Sequence, residues 1–128
     1  MITTSKGHPI EFIITPASVA DMTALKIMEI SLPFGSVIYG DKAYTSYAFE
    51  DDLLEFEQIK LTPDRRANLS RQHSGCVRYL QSILRKRIET TFSLIVRLLH
   101  RKIHAVTQAG FVLKLILFVV SFSLSRFL

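Results

Sequence analysis

The segment from Ser36 to Thr62 limits the fold of this chain more than any other. Val37, Ile38 and Tyr39 form a short β-branched and aromatic run, and Gly40 and Asp41 follow at once. Such a run reads as a buried strand that stops where another group comes close. Thr45 or Ser46 can then cap a helix, with Glu50, Asp51 and Asp52 in its first turn, where the macrodipole favours acids, and Phe49, Leu53, Leu54 and Phe56 on its buried side. Ile59, Lys60, Leu61 and Thr62 read as a second strand ended by Pro63. Residues 36–62 are therefore a β-α-β unit, which requires a parallel pair and a right-handed crossover. Asp41 falls at the carboxyl end of the first strand, where open α/β sheets place ligands.

The flanking segments are compatible with that unit. Residues 1–14 read as a hairpin, with strands at Ile2–Thr4 and Pro9–Ile14 and a turn in which Gly7 supplies a positive φ. Residues 21–30 read as a helix capped by Asp21, with Met22, Leu25, Ile27, Met28 and Ile30 as its apolar side. Residues 63–77 are polar and basic without periodicity, a loop long enough to be functional or disordered. Residues 78–101 carry Leu84, Ile88, Phe92, Ile95 and Leu99 at helical spacing. Residues 107–128 read as an apolar C-terminal helix. Lys114, Ser121, Ser123, Ser125 and Arg126 interrupt its apolar run, so a helix buried on the sheet fits better than a membrane span. A chain of 128 residues, 48% of them hydrophobic, suits one packed domain. The N-terminus lacks the pattern of a secretory signal, and the lone Cys76 fits a reducing compartment with a buried or idle thiol, so the expected location is the cytoplasm.

Charge divides the chain sharply. Residues 1–64 hold ten acids against four lysines, whereas residues 65–128 hold twelve bases and only Glu89. A polyanion is the partner that suits such a basic half, and the predominance of arginine favours nucleic acid over a membrane. The candidate DNA contacts are Arg65, Arg66, Arg71, Arg85, Lys86, Arg87, Arg97, Arg101 and Lys102. Glu89, alone among them, has either a structural partner, such as Arg85 four residues earlier, or a chemical task. The chemical option is a divalent metal held with Asp41, because Mg²⁺ prefers one or two carboxylates together with substrate phosphate.

Several motifs occur in the order found in one family. Pro9-Ile10-Glu11-Phe12, Thr15-Pro16-Ala17-Ser18 with Asp21, Tyr39-Gly40-Asp41-Lys42-Ala43-Tyr44 and Arg85-Lys86-Arg87-Ile88-Glu89-Thr90-Thr91-Phe92-Ser93 together resemble the catalytic domain of bacterial insertion-sequence DDE transposases. The resemblance implies an α/β fold of the RNase H-like type, a mixed sheet with flanking helices. It also implies two divalent ions, Mg²⁺ or Mn²⁺, that support hydrolysis at transposon ends and strand transfer into target DNA. Asp41 matches the family's second catalytic acid and Glu89 its third. The first acid, which the family carries on a strand before the hairpin, has no counterpart; Glu11 sits at a different motif. Ser82 and Val96 stand where the fuller pattern around the glutamate has Tyr and Lys, and Arg85 is retained.

The expectation is thus a truncated transposase domain, inactive alone, that self-associates or is completed by another chain. Loss of a strand before Ile2 would expose a sheet edge and lower stability. The alternatives are a DNA-binding remnant without chemistry and, third, a small membrane-associated protein anchored by Phe111–Leu128.

Overall fold

The computed structural model describes residues 1–99 and 103–128. In chain order they form β1 (Ile2–Thr3), β2 (Pro9–Glu11), α1 (Asp21–Ile27), β3 (Val37–Gly40), a 3-10 turn (Lys42–Tyr44), α2 (Tyr47–Glu57), β4 (Lys60–Pro63), α3 (Gly75–Leu98) and α4 (Gln108–Phe127). Two compact units result, one of residues 15–85 and the other of residues 1–14 with 86–128. The sheet structure is two separate pairs, β1 antiparallel to β2 and β3 parallel to β4.

The unit of residues 15–85 is built on the β3–α2–β4 crossover. Val37 pairs with Lys60 and the register runs through to Gly40 and Pro63. Ile38, Leu53, Ile59 and Leu61 are buried together with Leu25 of α1, and Ile59 is only 1% exposed. Leu61, Thr62 and Pro63 are all buried, so β4 is covered on both faces, the usual condition of a parallel strand. Each buried leucine or isoleucine of this core contributes about 1.5–3 kcal/mol.

Several local expectations need correction in this unit. Ser46, not Thr45, caps α2, and only Glu50 of the three acids lies in its first turn. Leu54 and Phe56 are exposed and the buried pair is Glu50 and Leu53, because one helical face collects positions three apart. Asp21 is the first helical residue of α1; Ala20 occupies the cap position, and the helix stops at Ile27 because Met28 is extended. Cys76 is exposed.

The other unit pairs the hairpin with the second half of α3 and with α4. Gly7 has a φ of +85°, and the Thr91 hydroxyl donates to its carbonyl at 2.9 Å. A Cβ at Gly7 would lie 2.6 Å from that hydroxyl oxygen, so conformation and space both require glycine. On this stretch of α3 the buried positions are Thr91 and Ile95, while Phe92 is 45% exposed. Polar Thr91 therefore replaces the expected aromatic on the inner stripe.

Thr107 caps α4 by accepting the Gly110 N–H. The helix was expected to be buried, but Phe122 is its one buried residue and Leu113, Leu117, Leu124 and Phe127 are more than half exposed. Its 20 residues are long and apolar enough to cross a membrane, a weak indication by length and composition alone.

Candidate active site

Asp41 is placed by the strand that precedes it. The carboxyl ends of β3 and β4 lie side by side, and the Asp64 N–H donates to the Gly40 carbonyl at 2.8 Å, extending the ladder by one residue. Asp41 and Asp64 therefore occupy the same edge of the parallel pair. The Tyr44 ring packs 3.3 Å from where a Cβ at Gly40 would be, so a larger residue there would push that ring by a few tenths of an ångström.

The Asp41 carboxylate begins the 3-10 turn. Its Oδ1 accepts the Lys42 N–H at 2.7 Å, and the Arg85 guanidinium approaches the same oxygen at 3.4 Å. Asp41 is about half exposed and Arg85 slightly more, so the pair is open to solvent and to a ligand. Asp64 Oδ1 accepts the Arg65 N–H at 2.9 Å, and the Lys42 ammonium lies 3.8 Å from its other oxygen. Burial pushes the Tyr44 phenol above its ordinary pKa, and the Asp21 and Asp41 carboxylates push it further in the same direction.

The basic loop after β4 is tied down rather than loose. The Arg65 guanidinium forks onto the Glu50 carboxylate, with contacts of 3.0 and 2.5 Å, and both side chains are buried. Arg71 forks onto Asp51 at 2.9 and 3.2 Å in an exposed pair, and its hydrogen bonds to Asp51 push its pKa further up. The Tyr47 ring lies under both guanidinium groups, 5.0 Å from Arg65 and 4.5 Å from Arg71. Its hydroxyl donates to the Ser70 carbonyl at 2.7 Å. Gln72 donates to the Arg66 and Leu69 carbonyls, and His73 bonds the Pro63 carbonyl.

The expected site residues thus have different fates. Asp41 and Arg85 are brought together. Arg65, expected among the DNA contacts, is buried: its guanidinium is 3% exposed and its two Nη groups are held by the Glu50 carboxylate. Arg71 is likewise engaged through its two Nη groups, although it remains exposed. Arg66, Lys86, Arg87 and Arg97 are exposed, as is Glu89 on the α3 segment of the other unit. Arg101 and Lys102 lie outside the described residues.

Glu50 is what the sequence reading missed. The signal was its three-residue spacing from Tyr47 on one side and Leu53 on the other, which puts all three on one helical face. Among the described residues no three His, Cys, Asp or Glu side chains gather into a metal-sized cluster.

A family model described as a transposase DDE domain covers residues 1–124, almost the whole chain. No curated protein and no solved structure matches it.

Proposed function

The chain belongs to the transposase DDE domain family, and from that premise we propose that Asp41 and Glu89 are its metal-binding carboxylates in the cutting and joining of DNA. The family acts on DNA, uses divalent metal ions and has an RNase H-like fold, with which the mixed α/β architecture agrees. The observation that carries the reading is the position of Asp41, a half-exposed carboxylate on the carboxyl edge of a parallel pair.

The donor set suits Mg²⁺ or Mn²⁺. Both are hard cations that take one or two carboxylates and complete their shells with water and substrate phosphate. When bound, such ions polarise phosphate oxygens and make water a better nucleophile. Asp41 is the ligand supplied by the strand end, fixed by the Lys42 N–H. Glu89 is assigned the second place on its motif and on its four-residue spacing from Arg85. Arg85, beside Asp41, holds that carboxylate and is suited to a phosphate oxygen of the substrate. The exposed Lys86, Arg87 and Arg97 supply charge for the DNA backbone, with Arg101 and Lys102 assigned on sequence alone. Transposon ends and target DNA are the substrates on this reading.

Two acids match where the family has three. On this reading full transposition requires a third carboxylate besides Asp41 and Glu89. A DNA-binding remnant without chemistry is the second reading, favoured by the same count.

Mn²⁺ titration followed by the loss of the free-ion electron paramagnetic resonance signal separates the two. The wild type binds Mn²⁺, and Asp41→Ala and Glu89→Ala each weaken that binding. Wild-type affinity in both variants overturns the metal reading and leaves the remnant.

A further inference from the structure

The loop between β4 and α3 carries three arginines with very different surroundings. Arg65 is buried against Glu50, and Arg71 is held by Asp51 through the two Nη groups of its guanidinium. Each positive charge is matched by a carboxylate of α2, and Tyr47 lies against both guanidinium groups. Arg66 is exposed, and among the described residues no ion pair involves it.

Its backbone is nonetheless fixed. The Arg66 carbonyl accepts from the Leu69 N–H at 3.1 Å and from the Gln72 side chain at 2.7 Å. Arg71 closes the loop in a left-handed conformation, φ +57°, which its bonds to Asp51 help to hold. Arg66 is two residues from Asp64, which is hydrogen-bonded to Gly40 immediately before Asp41. Two residues of chain span at most about 7 Å, so the Arg66 backbone starts close to the strand edge that carries Asp41.

We infer that Arg66 holds a phosphate of the DNA backbone beside Asp41, and that Arg65 and Arg71 serve to present it. This rests on the DNA-processing reading and adds the residue that positions the strand next to the metal-binding carboxylate. A guanidinium on a preformed loop loses little conformational freedom on meeting a phosphate, and it can fork onto two of its oxygens. Had all three arginines been free, the loop would be a diffuse basic patch. With two neutralised, its attraction is concentrated at one point.

Salt dependence of binding to a duplex oligonucleotide, read by fluorescence anisotropy, tests this. A side chain that neutralises one phosphate contributes about 0.9 to the slope of log K against log salt concentration. Arg66→Ala is expected to weaken binding and to flatten the slope by about one phosphate contact, and Arg66→Lys to restore the slope. Arg71→Ala, or Arg71→Gln as a second variant, removes the same formal charge yet keeps the wild-type slope, whatever its affinity. An unchanged slope in Arg66→Ala overturns the inference, as does an equal loss in the Arg71 variants. If that happens while Asp41→Ala still loses Mn²⁺, the metal reading stands and Arg66 alone is misassigned. If the wild type binds no duplex at all, both fall together.

Discussion

The loop of residues 64–74 and helix α4 meet solvent in opposite ways. The loop has no regular structure and a basic sequence, yet polar side chains of α2 anchor it through Arg65, Ser70 and Arg71. Helix α4 is regular for 20 residues, yet it leaves most of its leucines uncovered. Regularity is therefore a poor guide to which segment is anchored here. What matters is whether the side chains find partners: charges buried with their counter-charges fix a loop, and helical regularity by itself leaves apolar side chains exposed.

The sharpest way to break that comparison is to remove one side chain from each region and measure stability by urea unfolding. Glu50→Ala strands the buried Arg65 and is expected to destabilise by about 3–5 kcal/mol. Leu124→Ala on α4 is expected to stay within about 0.5 kcal/mol, because the side chain is already in solvent. Equal losses would mean that α4 is packed as firmly as the loop is tied.

A smaller effect of opposite sign sharpens the same point about buried polar groups. The Thr62 hydroxyl is buried with no hydrogen-bond partner among the described residues. Thr62→Val keeps the shape and removes the orphan, so it is expected to stabilise by about 1 kcal/mol in the same experiment. A loss of stability would show that the hydroxyl has a partner, such as an ordered water.

The smallest effect concerns pH. Tyr44 has its pKa raised in the folded chain by burial first and by Asp21 and Asp41 second. A raised pKa gives a contribution that is fully present below the ordinary value of 10.0 and is lost as pH rises through the folded value. Thermal melts are expected to fall more steeply above that pH in the wild type than in Tyr44→Phe. Parallel curves would remove Tyr44 from the account.

These contrasts mark how far the sequence could be read. The β3–α2–β4 crossover was legible because its signals are local: β-branched residues, Gly40 and a capping serine. Asp41 was legible for the same reason, as a carboxylate directly after a strand. Its contact with Arg85 spans 44 residues of chain and Glu50 meets Arg65 across 15, and no local periodicity encodes such pairs. Helix α4 was misjudged because hydropathy reports what a segment gains by being covered and says nothing of whether a cover is present. Phe92 gave way to Thr91 for a related reason, since the hairpin carbonyl at Gly7 needs a donor more than that stripe needs a ring.

The central claim is that a divalent ion binds at Asp41. Replacing it with Fe²⁺ in the presence of ascorbate and peroxide generates hydroxyl radicals at the ion, and mass spectrometry then locates the backbone cuts. Cuts flanking residue 41 that excess Mg²⁺ suppresses are expected. Cuts only elsewhere, or cuts at that position that Mg²⁺ leaves unchanged, would contradict the claim.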